Sequence, residues 1–249
     1  MILYPNAKIN LGLNVESKRS DGYHNISSIF YPIYDCFDVL EIVDSNSFLF
    51  TSSGICISGS NNLCVKAYNL LKIKFNIPAV HIHLHKKIPI GAGLGGGSAD
   101  GAFVLKGLNN FFKLNITNKL LEDLALELGA DCPFFIQNRP KYVSGIGDLM
   151  EDIKLDLSKY EIQLIDSSIH INTKDAYSNI VPKNQKLKLS RLIKKPIRLW
   201  KDLVTNDFEQ DVFKNYPKLS KVKETLYAQG AIFSSMTGTG SVIYGIFKR

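Results

Sequence analysis

The sequence predicts an α+β fold built in two parts, and three observations lead there. Stretches with the two-residue period of strands and stretches with the 3.6-residue period of helices both occur, without the regular strand-helix alternation of a parallel sheet. The composition is that of a globular chain, 45% hydrophobic and 21% charged over 249 residues, which excludes disorder, collagen and coiled coil. A new strand-like run opens at Tyr160, beyond the turn Ser144-Gly145-Ile146-Gly147, and divides the chain into residues 1–153 and 154–249. At this length folding buries about 70–75% of the surface the unfolded chain exposes, enough for one large core or two modest ones.

Residues 1–15 set Ile9, Leu11, Leu13 and Val15 against Lys8, Asn10 and Asn14, the alternation of a strand, and residues 37–43 make a second. Residues 61–75 repeat Leu63, Ala67, Leu70 and Leu71 at helical spacing. Asn61 or Asn62 would cap that helix, because a short amide side chain accepts from the free N–H groups of a first turn. Residues 80–88 alternate again. Five glycines intervene before residues 98–112, where Ala102, Leu105, Leu108 and Phe112 share one helical face. Residues 118–128 form a helix ended by Gly129; 160–165 read as a strand, 218–229 as a helix and 241–247 as a closing strand.

Cys36, Cys56, Cys64 and Cys132 form no Cys-x-x-Cys pair and have no histidine at zinc-ligand spacing. They read as buried reduced thiols, which suits the cytoplasm. Asn6, Lys8, Asn10 and Asn14 interrupt the first apolar stretch, so it resembles neither a signal peptide nor a membrane span. The formal charge of +7 is localised: Lys183, Lys186, Lys188, Arg191, Lys194, Lys195, Arg198 and Lys201 supply eight positive charges, and the remainder of the chain stands at −1. Leu187, Leu189, Leu192, Ile193, Leu199 and Trp200 would make that segment an amphipathic helix interrupted at Pro196. A solvated helical face, electrostatic help with an anionic ligand, and RNA or membrane contact are all compatible with it, but no aromatic RNA-binding signature accompanies the charge. His81, His83 and His85 lie on one strand face opposite Ile82 and Leu84, the pattern of a wet face and not of a metal site.

The strongest chemical signal is Pro89-Ile90-Gly91-Ala92-Gly93-Leu94-Gly95-Gly96-Gly97-Ser98-Ala99, placed between a predicted strand and a predicted helix. Without Cβ atoms the backbone can turn tightly and aim its N–H groups at one point, and the helix start adds about half a positive charge. Such a loop cradles phosphate. It lacks the Gly-Lys-Ser/Thr ending of a P-loop. Gly91-x-Gly93-x-x-Gly96 matches the bare dinucleotide pattern, but no acid stands about 20 residues on, and the companion motifs of protein kinases are missing.

Three blocks carry a resemblance: Ala7-Lys8-Ile9-Asn10-Leu11 with Asp21-Gly22-Tyr23-His24; the glycine loop with Gly129-Ala130-Asp131-Cys132-Pro133; and Thr237-Gly238-Thr239-Gly240. In order and spacing over nearly the whole chain they resemble the galacto/homoserine/mevalonate/phosphomevalonate small-molecule kinases. Ala-Lys-Ile-Asn-Leu and Asp-Gly-Tyr-His resemble, within that group, the kinases of a cytidine-diphosphate-linked methylerythritol in non-mevalonate isoprenoid synthesis. The resemblance implies an N-terminal domain with a left-handed βαβ unit, a C-terminal ferredoxin-like domain and a substrate cleft between them. It implies phosphorylation of the substrate's 2-hydroxyl by ATP, with Mg2+ bridging the ATP phosphates and no dedicated protein metal ligand named. Small anionic substrates, not nucleic acid or membrane, would be the partners.

Residue by residue, the resemblance makes Asp131 and Lys8 catalytic. Lys8, with Ile9 and Leu11 facing the other way, could pair with Asp131 and stabilise the transferred phosphoryl group. Residues 89 to 99 would hold the ATP phosphates, Ser98 among them unless it is only a helix cap, and Asn62, Leu63 and Lys86 would border adenine. Tyr23 and His24 match the cytidine positions, with Tyr177 as a second stacking ring. Asn10 and Thr173 would touch substrate, and Gly238, Thr239 and Gly240 would close around substrate or phosphate. Asp100 near the helix start would complement the dipole. The remaining alternatives are a kinase of another alcohol, such as mevalonate or homoserine, and a basic RNA-binding domain.

Overall fold

The computed structural model describes residues 1–57, 62–178, 180–182 and 187–249. Asn61, Lys183 and Lys186, singled out above, lie outside the described residues. Two compact units divide the chain, and neither is a continuous stretch. The first comprises Met1–Lys8, Pro32–Ile90 and Gly95–Arg139; the second comprises Ile9–Tyr31, Gly91–Leu94 and Pro140–Arg249.

In the first unit, β1 (Ile2–Leu3), β4 (Val39–Asp44), β5 (Leu49–Gly54) and β6 (Val80–Lys86) form a sheet ordered β1-β4-β6-β5. β4 runs antiparallel to β6, whereas β5 runs parallel to it, joined through helix α1 (Leu63–Phe75) as a βαβ crossover. Asn62 caps α1, its Oδ1 accepting from Cys64 N at 2.7 Å. α2 (Gly96–Phe111) packs on α1 closely enough that a Cβ on Gly101 would stand 3.0 Å from Leu63 Cβ. α3 (Asn118–Leu128) starts at Thr117, which accepts from Leu120 N, and buries Leu121, Leu124 and Ala125. The short α4 (Phe134–Gln137) buries Phe134, Phe135 and Ile136.

The second unit holds residues 9–18 of β2 (Asn6–Lys18) and residues 24–31 of β3 (His24–Phe37), strands of a sheet ordered β2-β3-β7-β8 with β7 (Lys141–Ser144) and β8 (Leu149–Asp152). A second sheet has the order β10-β11-β9, all antiparallel, from β9 (Tyr160–Ile165), β10 (Phe233–Met236) and β11 (Ile243–Lys248). Helices α5 (Thr173–Ser178), α6 (Leu189–Leu192), α7 (Trp200–Leu203), α8 (Glu209–Asn215) and α9 (Pro217–Ala228) complete it. Leu13, Val15, Phe208, Leu219, Leu226, Met236 and Ile243 share one apolar cluster there.

Several expectations change. β2 is buried on both faces from Asn6 to Val15, so its polar residues are interior groups and not a wet edge. The strand expected over residues 37–43 is broken at Asp38, where β3 ends and β4 begins. Pro196 does split the basic segment, and its apolar residues Leu189, Leu192, Ile193 and Trp200 are buried. All four cysteines are free, but Cys56 is exposed. The histidine face is a hydrogen-bonded ladder: Thr51 Oγ1 lies 2.7 Å from His81 Nε2 and 2.8 Å from His83 Nδ1, and Ser53 Oγ joins His83 to His85. Among the described residues no helix is long and apolar enough to cross a membrane.

Candidate active site

In the first unit, Lys8 is 3% exposed, and its Nζ stands 3.5 Å from Asp131 Oδ2. Strand alternation turns Lys8 inward, while Asp131 sits on the turn after α3, held by Cys132 N donating to Gly129 O at 3.1 Å. Burial lowers the Lys8 pKa, and the Asp131 carboxylate only partly offsets it. Asp131 keeps 34% of its side chain exposed, so the pair is open on the carboxylate side.

Gly95 lies against Lys8. It caps α2 with φ 71°, a left-handed conformation, and a Cβ there would meet Lys8 Cγ at 3.0 Å and Cε at 3.1 Å. The cap is therefore Gly95 and not Ser98, and α2 begins two residues earlier than expected, without a side chain over its first N–H groups. A Cβ on Gly97 would meet nothing within 4 Å. Uncapped amides, a helix dipole and open space at Gly97 fit an anionic phosphate group. Ser98 bonds the Cys132 thiol, which burial pushes up to about 12. Pro89 and Ile90 lead into the loop from β6, and Ala99 is fully buried.

Lys86 is a buried residue. Its Nζ donates to Asp38 Oδ2 at 2.5 Å and to Asp100 Oδ2 at 2.8 Å. Burial works against its charge, but Asp100 and Asp38 outweigh burial and raise its pKa. Asp100 thus pairs with a lysine in addition to any interaction with the helix dipole. Asn62 and Leu63 stand at the α1 N-terminus.

In the second unit, Gly93 (φ 78°) approaches Thr237 so closely that a Cβ would fall 2.1 Å from the Thr237 carbonyl oxygen. Thr237 Oγ1 accepts from Asn10 N at 3.0 Å and lies 3.0 Å from Gly93 O. The Asn10 amide donates to Ser28 Oγ at 2.8 Å, and Tyr244 OH donates to the Asn10 carbonyl at 2.9 Å. Gly91, Ala92 and Leu94 belong to this unit, and Ala92 O accepts from Val242 N at 3.3 Å. Asn206 Nδ2 reaches the carbonyls of Met236 and Gly238, both at 2.8 Å, steadying the Gly238-Thr239-Gly240 segment. Thr173 and Thr239 hydroxyls are 3.3 Å apart.

Asp21 shapes the β2-β3 hairpin by accepting from Tyr23 N at 3.0 Å and pairing with Arg19, whose hydrogen bond holds the Asp21 carboxyl below its usual range. Tyr23 stands 61% exposed at that tip. His24 is buried, which, with nearby Lys18, lowers its pKa; its ring lies 5.2 Å from that of Tyr177, tilted by 31°. Tyr177 also meets Phe208 edge-on at 4.8 Å, so the fold brings His24 and Tyr177 into contact with each other. Sequence reasoning missed Asp38, Ser28, Asn206 and Tyr244. None carried a clear local signal: even Asp38, between Phe37 and Val39, stands in a run with Asp35, Glu41 and Asp44.

Residues 62–139 match the GHMP kinases N terminal domain and residues 189–249 the GHMP kinases C terminal domain. A 4-diphosphocytidyl-2-C-methyl-D-erythritol kinase of Azobacteroides pseudotrichonymphae genomovar. CFP2 is 50% identical over 252 residues, covering 100% of this chain and 94% of its own. A protein of the same name from Cytophaga hutchinsonii is 48% identical, covering 100% and 93%. A crystal structure of 4-(cytidine 5'-diphospho)-2C-methyl-D-erythritol kinase superposes with a TM-score of 0.85 at 30% identity, covering 99% of this chain and 90% of that one. The Methanococcus jannaschii mevalonate kinase structure, at 14% identity and a TM-score of 0.70, covers 100% of this chain and 90% of its own and shares the fold. The chain belongs to the GHMP kinases, with their α+β two-domain fold, and within them to the 4-diphosphocytidyl-2-C-methyl-D-erythritol kinase family. It is a kinase, and ATP is the phosphoryl donor of its class.

Proposed function

We propose that this chain transfers a phosphoryl group from ATP to the 2-hydroxyl of 4-(cytidine-5'-diphospho)-2-C-methyl-D-erythritol, a step of non-mevalonate isoprenoid synthesis. The buried Lys8 ammonium, 3.5 Å from Asp131 and packed on Gly95 at the start of α2, is the observation that carries this reading. Asp131 orients the acceptor hydroxyl and takes its proton as the new oxygen-phosphorus bond forms. An ordinary aspartate is a weak base, but in a loose phosphoryl-transfer transition state the proton leaves late, so orientation dominates. Lys8 stabilises charge on the transferred group from a water-poor position. The N–H groups of residues 95–98 and the α2 dipole bind the phosphates, and Mg2+ accompanies ATP to neutralise their charge.

Asn62, Leu63 and Lys86 border adenine; Tyr23, His24 and Tyr177 hold cytidine; Asn10, Thr173 and Gly238 to Gly240 contact the substrate. The domain boundary at 153/154 belongs to the same proposal: the matched segments 62–139 and 189–249 fall on either side of it, whereas compact packing groups residues 9–31 and 91–94 with 140–249. So does a cytoplasmic location, where both small anionic substrates would be met. Phosphorus NMR of the protein with ATP, Mg2+ and the cytidine-diphospho-methylerythritol tests the assignment. A new phosphomonoester and ADP are expected; turnover of mevalonate or homoserine with none of this substrate would overturn it.

A further inference from the structure

We propose that Asp38, Lys86 and Asp100 are positioning residues that hold both ends of the glycine loop in register for nucleotide phosphates, an inference that rests on reading the loop as the phosphate site. Asp38 is fully buried where β3 gives way to β4. Its Oδ1 accepts from Lys87 N at 2.6 Å and Ile88 N at 2.8 Å, the two amides that precede Pro89. One carboxylate therefore pins the entry to the loop, while its Oδ2 takes Lys86 Nζ. The ammonium then reaches Asp100 Oδ2, in the second turn of α2, and pins the exit. It lies directly beneath the helix start, since a Cβ on Gly96 would be 2.9 Å from Lys86 Nζ.

Stability alone does not account for such a cluster. Buried ion pairs repay their desolvation poorly, and well-packed apolar side chains often serve as well or better. What charged, directional contacts add is a fixed spacing between the strand exit and the helix start, the quantity on which convergence of backbone amides depends. The cluster also avoids placing a net negative charge under an anion site. Asp100 Oδ1 is buried without a hydrogen-bond partner among the described residues. Burial first, and then the Asp38 carboxylate, push the Asp100 carboxyl up to about 7 against the pull of Lys86. Near neutral pH the carboxyl is therefore divided between its two forms, which lessens the negative charge beneath the site.

Asp38→Asn tests this most strongly, because an amide cannot accept on both sides: either Lys87 and Ile88 lose their acceptor or Lys86 faces an NH2 group. Asp100→Asn is milder and leaves Lys86 on Asp38. Both are measured beside Gly97→Val, whose side chain enters open space over the first turn of α2. Kinetics give KM for ATP and for the alcohol, calorimetry gives the affinity for ATP and for adenosine, and a urea midpoint confirms folding. We expect ATP binding to weaken about tenfold in Asp38→Asn and about threefold in Asp100→Asn, with adenosine affinity falling less than ATP affinity and alcohol KM held within about twofold. If Asp38→Asn does not fold, Asp100→Asn decides alone.

Unchanged ATP affinity in the folded aspartate variants, with ATP binding lost in Gly97→Val, would overturn the cluster's role and leave the loop reading intact. Equal losses for ATP, adenosine and alcohol would also overturn it, since they would mark a merely loosened fold. Unchanged ATP affinity in Gly97→Val would remove the loop reading itself, and this inference with it.

Discussion

Two lysines of the first unit are equally buried, each 3% exposed, yet their surroundings push them in opposite directions. Lys86 lies between two carboxylates at 2.5 and 2.8 Å and holds its proton more tightly than a free lysine. Lys8 has the Asp131 carboxylate at 3.5 Å, one-third exposed, and burial prevails, so its proton is held less tightly. The difference separates a lysine clamped between two buried carboxylates from one whose charge burial disfavours beside a partly exposed carboxylate. The proposed chemistry is assigned to the second, where a positive charge in a low-dielectric site would act strongly on a transferred phosphoryl group.

The largest expected effect lies on the Lys8 side. Asp131→Asn should lower kcat by about a hundredfold or more with little change in the urea midpoint, and near-wild-type turnover in the folded variant would remove the assignment. On the Lys86 side the effect should appear in stability instead. Lys86→Met leaves two carboxylates buried without their cation and should cost about 3–5 kcal/mol in urea unfolding, whereas Lys8→Met should cost clearly less because Asp131 reaches solvent. Equal losses would dissolve the contrast between the two sites.

Protonation sharpens it further. The Asp100 carboxyl, ordinarily near 3.8, is raised to about 7 by burial, so the folded state binds this proton more tightly than the unfolded chain. Its contribution to stability is complete below about pH 4 and is lost as the pH rises through about 7. Urea midpoints measured across that window should decline in the wild type and decline less in Asp100→Asn. Conversely, the lowered Lys8 pKa predicts that kcat falls on the alkaline side sooner than an ordinary lysine would allow. The smallest effect is expected from neutralising Lys188, Lys194 and Lys195, exposed residues of the basic segment. kcat should be retained, and a large loss would show that this segment takes part in the chemistry.

Much of this was legible in the residues. The glycine run between a strand and a helix marked the proposed phosphate loop, apolar spacing placed helices over 61–75, 98–112 and 118–128 that fold as 63–75, 96–111 and 118–128, and the resemblance singled out Lys8 and Asp131, which stand 3.5 Å apart. Asp38 was not legible in the same way. Its work depends on Lys86, Lys87 and Ile88, nearly fifty positions away, and no local period records such a contact. The burial of Lys86 was not legible for a related reason: strand alternation tells which residues share a face, but not whether a helix covers that face.

The sequence by itself determined the class of the protein, the order of most elements and the motifs proposed to meet phosphate, because these rest on local periodicity, glycine's missing side chain and short contiguous patterns. Tertiary structure alone decided which polar residues of β2 and β6 are interior, which of two buried lysines is saturated, and that Gly95 rather than Ser98 opens α2. Burial and charge are set by neighbours distant along the chain, and a pKa follows the distance and number of those neighbours rather than the residue type.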